Sequence, residues 1–298
     1  MNLLDNFVSK QDKERDDFLK KTVGNFGKIV EEDDKITVFV TKNGVKKSTQ
    51  PDFHQIMCHG VNTDHEETKK EAEKFNLIKP VYYIFDGITF GKKVWLFAHR
   101  CNVIFRNCTF EGGLRISESD IITLENNTYI STNHSGAFVC GSCKELTIKD
   151  DNIVNSSEKS ANNTFGIDLE TSKINIINSH ICAENLGEVN LSAEDILLND
   201  SIIIGPKSIK ISSDKIISDF STLRSSDSVT INNKNNDFYG KVVSPKIVYN
   251  GKNLKTSNIT IVQGENYDLE KTSTDLLQSL RDLRDYYSKI KTKKSKRI

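Results

Sequence analysis

The chain has 298 residues, enough for one large domain or two ordinary ones, and its 36% hydrophobic and 28% charged residues are typical of a folded protein. Lysine plus arginine and aspartate plus glutamate both number 41, so bulk charge gives no argument for specific nucleic-acid binding. No stretch approaches the roughly 18 apolar residues of a membrane span, and the N-terminal segment has no signal-peptide core. We therefore expect a cytoplasmic or virion protein with reduced cysteines.

The N-terminal region, residues 1–80, is expected to contain a helix, a hairpin and a capping segment. Apolar residues from Leu3 to Leu19 recur at helical spacing and predict a surface or docking helix. Asn43-Gly44 predicts the turn of a hairpin over 35–48. The nearby residues His54, Cys58, His59 and His65 match no closed zinc set, so we expect no metal and no cofactor.

One pattern repeats from residue 103 onward: two apolar residues in alternation, then Asn or Asp, then a further apolar residue. The Asn or Asp positions are Asn107, Asn126, Asp150, Asn178 and Asp200, and a sixth copy has Phe220 there. A second apolar alternation, such as Val189 and Leu191, precedes each copy after the first. Alternation predicts short strands with one buried face, and strands repeated about every 20 to 28 residues bury that face by stacking coil on coil.

This repeat resembles the right-handed parallel β-helix of the pectate-lyase-like superfamily, which includes phage tailspike proteins. The resemblance implies an all-β chain, a right-handed parallel β-helix solenoid over 81–234 with flanking N- and C-terminal helices. The segment 59–76 is similar to the Gly-Val-x-Asp-Asp-Thr helix that caps many of these solenoids, although Asn62 to His65 are less acidic than that motif. A leucine-rich repeat is the alternative fold. Leucine is sparse in this chain, however, and a leucine-rich repeat does not require a second alternating strand in each repeat.

Stacked coils place equivalent residues above one another, so the five Asn and Asp residues named above are predicted to form a structural ladder. Each side chain would bond its neighbour where the chain bends. Asp150-Asp151 is also similar to the paired aspartates of polygalacturonase-like enzymes. The Gly-His-Gly and Arg-x-Lys motifs of those enzymes are absent, and we assign Asp150 to the ladder.

Enzymes with this fold carry outward carboxylates on neighbouring coils, about 5 or 10 Å apart, as glycosidases require. Only one carboxylate is found among the predicted outward positions of the second strand, which are Arg115, Phe138, Asp168, Asn190, Lys210 and Thr230. The best catalytic or cation-binding candidates are Asp168 and Glu170, with Glu194 or Asp195 one coil away. These acidic residues lie along one edge of the predicted solenoid, where lysines alternate with them. A solvent-exposed edge of mixed charge is therefore the simpler interpretation.

Two features indicate recognition. Ile104, Ile177 and Leu197 are apolar at predicted outward positions, so a flanking helix or a partner is expected to cover them. The insertion after Ile153, which contains Ser156 and Asn162, is a long loop on a rigid solenoid and is expected to bind a ligand.

The C-terminal region is expected to hold a hairpin extension over 235–264, then an amphipathic helix and a basic tail over 265–298. The apolar stripe over 269–290 is expected to cap the last coil, with an oligomer or a protein partner as the alternative.

The leading hypothesis from sequence is a non-catalytic β-helix scaffold or binding protein, such as a viral or phage structural component. The alternative is a carbohydrate-active enzyme, a polysaccharide lyase or a glycoside hydrolase, for which a glycan is the ligand.

Overall fold

The computed structural model describes residues 3–45, 53–129, 139–155, 167–183, 187–250 and 259–262. The chain forms a β-solenoid of about 7 turns with mostly parallel strands, and the helices are minor. This confirms the predicted all-β solenoid and excludes the leucine-rich repeat. In the described residues, no helix is both long and apolar enough to cross a membrane.

The helices are α1 (Leu3–Val23), α2 (Lys42–Val45) and α3 (Glu66–Lys74). The strands of the first coils are β1 (Gly27–Glu31), β2 (Ile36–Val40), β3 (Phe53–His59), β4 (Val81–Asp86), β5 (Thr89–Phe90), β6 (Lys93–His99), β7 (Cys101–Arg106), β8 (Thr109–Phe110), β9 (Leu114–Ser117), β10 (Ser119–Glu125) and β11 (Thr128–Tyr129). Those of the later coils are β12 (Val139–Lys149), β13 (Asn152–Asn155), β14 (Ile167–Ile177), β15 (His180–Ala183), β16 (Glu188–Asn199), β17 (Ile202–Ile204), β18 (Ser208–Arg224), β19 (Ser228–Val243), β20 (Lys246–Asn250) and β21 (Ile259–Val262).

The strand pairs define three faces of the solenoid. Face 1 consists of β2, β4, β7, β10, the later parts of β12, β14 and β16, and the middle parts of β18 and β19. Face 2 contains the short strands, such as β8, β11, β13, β15 and β17. Face 3 consists of β3, β6, β9, the first parts of β12, β14, β16, β18 and β19, and β20. From β12 onward, one strand runs through the bend from face 3 to face 1.

Apolar residues at every second position fill the interior as columns that run from coil to coil. In face 1, Phe85, Phe105, Leu124 and Ile148 pair in sequence, and all are fully buried. Phe90, Phe110 and Tyr129 form a second column, in which consecutive rings stack with centroids 5.1 and 4.9 Å apart. The predicted alternation therefore places one continuous core inside the coils.

The bend from face 1 to face 2 explains the repeated Asn and Asp. All five ladder residues have positive φ angles, between 45° and 55°. This left-handed conformation is tolerated best by Gly, Asn and Asp. Asn126 Nδ2 donates to Asn107 Oδ1 at 2.7 Å, and Asn178 Nδ2 donates to Asp150 Oδ1 at 2.6 Å. The side-chain ladder thus supports the bend, and the backbone angle selects the residue type.

Replacing Asn126 with leucine is expected to lower the free energy of unfolding by about 2 kcal/mol. Leucine loses the hydrogen bond to Asn107 and is strained at a φ of +52°. The complementary change is Phe220→Asn, because Phe220 has the same φ and an 80% exposed side chain. We expect the free energy of unfolding of that variant, measured by urea denaturation, to be about 1 kcal/mol higher than that of the parent. Unchanged midpoints in both variants would contradict this account of the bend.

A second column, buried directly behind the ladder, is polar. The series begins at Cys108, and each later side chain accepts a hydrogen bond from the backbone N–H of its counterpart one coil earlier: Asn127, Asp151, Ser179, Ser201 and Ser221. These side chains satisfy amide groups at the bend that would otherwise be buried without a partner.

The N-terminal end differs in detail from the predictions. Helix α1 forms as expected, with Phe18 and Leu19 buried. The predicted hairpin at Asn43-Gly44 is wrong, since these residues lie in α2 and β2 pairs antiparallel with the earlier strand β1. The parallel stack already begins at Ile36, because β2 pairs with β4. Helix α3 confirms the helix expected within 59–76.

The C-terminal strands continue the stack. Strand β20 pairs in parallel with the start of β19, and β21 pairs in parallel with its end. Where it is described, the predicted hairpin extension over 235–264 therefore consists of strands paired in parallel with the stack, and the apolar stripe over 269–290 lies outside the described residues.

Candidate functional site

A polar groove of about 560 Å³ runs along the edge where face 3 bends into face 1 in the later coils. Its first column pairs Glu170, Ser192, Ser212, Asn232 and Asn250 from five consecutive coils. Asn250 Nδ2 donates to Asn232 Oδ1 at 2.8 Å, so the column continues as a side-chain ladder at its end. Short side chains at this bend leave room for the groove.

The groove is completed by two further rows of residues. Ala193, Ser213 and Asn233 pair beside the first column, and Glu194 and Asp214 line the outer side. Within the described residues, the hydroxyl oxygens of Thr171 and Ser213 are buried at the groove without a hydrogen-bond partner. The lining therefore offers hydroxyl, amide and carboxylate groups, and the described lining contains no Lys, Arg or His.

Of the three predicted catalytic residues, Asp168 and Glu170 are neighbours on one side of β14, whereas Asp195 lies apart from them on face 1. Glu170 lies in the groove, as does the alternative candidate Glu194. Asp168 faces outward on face 3 between Val139 and Asn190. Partial burial of its carboxyl group, together with the nearby charge of Glu170, raises the pKa of Asp168.

Asp195 belongs to a column of alternating charge on face 1. It pairs with Lys173 on one side and Lys215 on the other, and Lys173 Nζ lies 3.0 Å from Glu145 Oε1. A carboxylate between two ammonium groups serves the charge balance of the stack.

The register also corrects one predicted outward position. Val139, not Phe138, pairs with Arg115 and with Asp168. The column of face 3 that contains Arg115 and Asp168 therefore passes through Val139, and Cys140 is paired with Ile116. Phe138 itself lies outside the described residues.

The predicted apolar recognition residues do not form one patch. Ile104 and Leu197 belong to the same outward column of face 1, but polar residues separate them: Thr123, Thr147 and Asn175. Ile177 lies in the neighbouring column beside Lys149 and Asn199. All three are half-buried. Ser156 and Asn162 lie outside the described residues.

Asp151, the second residue of the Asp150-Asp151 pair, is buried in the interior of the solenoid. Its carboxylate accepts hydrogen bonds from the Tyr129 hydroxyl at 3.0 Å and from the Asn127 backbone at 2.6 Å. Burial raises its pKa to about 7. The Asp150 side chain lies in the outer ladder, whereas the Asp151 side chain is buried. The two carboxylates therefore cannot act together as the aspartates of a polygalacturonase-like site.

The histidine and cysteine residues near the N-terminus are also separated. Cys58 is buried, and His59 is exposed at the end of β3. Across the described ranges, no three His, Cys, Asp or Glu side chains are grouped so as to hold a metal ion.

Comparisons with known proteins identify no relative. No protein-family model, no curated protein and no solved structure matches the chain.

Proposed function

We propose that the protein is a non-catalytic solenoid scaffold that binds an extended, uncharged glycan along the polar groove. The observation that supports this proposal is the in-register column Glu170, Ser192, Ser212, Asn232 and Asn250. It repeats hydrogen-bonding groups at the coil spacing of about 4.8 Å. A chain of sugar rings repeats hydroxyl groups along one direction and suits such a surface.

The charge of the groove favours a neutral ligand. Glu170, Glu194 and Asp214 line it, and its described lining contains no cationic side chain. Carboxylates accept hydrogen bonds from sugar hydroxyls but repel the carboxylates or sulfates of an acidic polysaccharide.

The arrangement of carboxylates favours binding over catalysis. Glycosidases position one acid and one base or nucleophile around the same bond. Here Asp195 is flanked by lysines and Asp151 is buried, which removes two of the acidic candidates from such a role.

A glycan array is the first test, followed by calorimetric titration of the best ligand. We expect neutral oligosaccharides to bind and acidic ones to bind less. Ser212→Tyr fills the groove and should weaken binding by about tenfold or more. Ser226→Tyr, the same change at an exposed residue outside the groove lining, is the matched control and should bind like the parent. Exclusive binding of acidic glycans, or equal effects of both variants, would refute the proposal.

A carbohydrate-active enzyme is the second candidate, favoured by one observation. Asp168 and Glu170 lie on the same side of one strand, and the raised pKa of Asp168 is the property of a general acid. Release of reducing ends from a bound glycan, abolished by Asp168→Asn and by Glu170→Gln, would establish this activity and overturn the non-catalytic scaffold.

A further inference from the structure

A second cavity, of about 300 Å³, lies at the other end of the solenoid, where α1 and α3 cover the ends of β3 and β6. His59 and His99 are paired in register there, and their rings stack with centroids 5.8 Å apart and planes 12° apart. Lys21 from α1 and Arg100 also line the cavity. It is thus lined by donors from several elements and differs in charge from the groove.

The other residues that line the cavity determine its net charge. Thr68 contributes a hydroxyl group, whereas the Thr22 hydroxyl donates to the Phe18 carbonyl at 2.9 Å, and Glu71 of α3 is the one carboxylate of the described lining. Arg100 also forms an ion pair with Asp64. With both histidines neutral, the acidic and basic groups nearly cancel. With both protonated, the cavity carries a clear positive charge.

The surroundings of His59 disfavour its protonation. Partial burial of its ring, and then the neighbouring His99, lower the pKa of His59. Two parallel imidazolium rings at this separation repel each other. An anion placed among His59, His99, Lys21 and Arg100 would remove that repulsion, so anion binding and proton uptake are linked.

We propose that this cavity binds a tetrahedral oxyanion, a phosphate or sulfate group, and that it does so when the His59–His99 pair is protonated. Imidazolium, ammonium, guanidinium and hydroxyl donors together match the several acceptor oxygens of such a group. The cavity is larger than one small ion, so it also has room for a monoester that carries the group.

Calorimetric titration with sodium sulfate tests the proposal, because the charge of sulfate does not change between pH 5.5 and 8. Ionic strength is held with chloride. We expect binding about tenfold tighter or more at pH 5.5 than at pH 8. A parallel titration with a sugar sulfate monoester identifies the source of the group: tighter binding indicates an ester, and equal binding indicates the free ion.

Three variants separate this site from a general effect of charge. His59→Gln and His99→Gln should each abolish most of the pH dependence while thermal unfolding confirms that they are folded. His54→Gln changes a histidine of the same strand that does not line the cavity, and should bind sulfate like the parent. No sulfate binding at pH 5.5, equal affinity at both pH values, or the same loss in the His54 variant would overturn the proposal.

Discussion

Replacing Phe105 with alanine is expected to lower the free energy of unfolding by about 4 kcal/mol, measured by urea denaturation. The Phe105 ring is fully buried and stacks on the ring of Phe85, with the two ring centroids 4.5 Å apart. It also meets Phe90 and Phe110 edge to face, at 5.9 and 5.4 Å. Alanine therefore removes a ring at the centre of an aromatic cluster that joins consecutive coils, and leaves a cavity between them.

Phe220→Ala is the matched control, since it makes the same chemical change at an 80% exposed side chain. We expect that variant to stay within about 0.5 kcal/mol of the parent. If Phe105→Ala lowers the free energy of unfolding by less than about 1 kcal/mol, or if the two variants lower it equally, the aromatic columns do not hold the coils together.

The repeat could be predicted from sequence because two independent constraints recur together in every coil. The alternation fixes which side chains face inward, and the bend needs a residue that tolerates a left-handed backbone. Gly87 shows why one copy was missed. It occupies the ladder position after β4 with a φ of +64°, and glycine satisfies the backbone angle without being Asn or Asp. A search for any of the three residue types would have found it.

The misplaced hairpin has a different cause. Asn43-Gly44 is a strong local turn signal, yet α2 takes these residues into a single helical turn. Gly44 lies so close to the Phe26 carbonyl that a Cβ atom would stand 2.0 Å from that oxygen. Close backbone packing, and not turn geometry, requires the glycine there. Local sequence cannot distinguish these two reasons.

The candidate site was only partly visible in the sequence. The sequence indicates Glu170 and Glu194 as candidates, but it gives no functional signal for the serine and asparagine residues beside them. Their role depends on which residues lie above and below, and that register follows from the whole stack. For the same reason the sequence could not pair Asp151 with Tyr129, because the partner comes from the preceding coil.

Replacing Asp151 with asparagine is expected to stabilise the protein above neutral pH by up to about 4 kcal/mol. The pKa of this carboxyl is about 7 in the folded state, against a value of 3.8 for an unperturbed aspartate. Between these values the folded state binds one proton more than the unfolded state. The free energy of unfolding of the parent should therefore fall as the pH rises from about 4 to about 7, and no further contribution is lost above that range.

Asparagine keeps the shape of the side chain and most of its hydrogen bonds. Its carbonyl oxygen can accept from the Asn127 backbone, and its amide can donate to the Tyr129 hydroxyl oxygen. Urea unfolding of both proteins from pH 4.5 to pH 8.5 measures the effect, and the difference between the two curves cancels the contributions of groups such as His59. Asp200→Asn makes the same change at an exposed ladder position, and as the control it should not stabilise the protein above neutral pH. A variant curve parallel to that of the parent would mean that Asp151 does not take up a proton in the folded state near neutral pH.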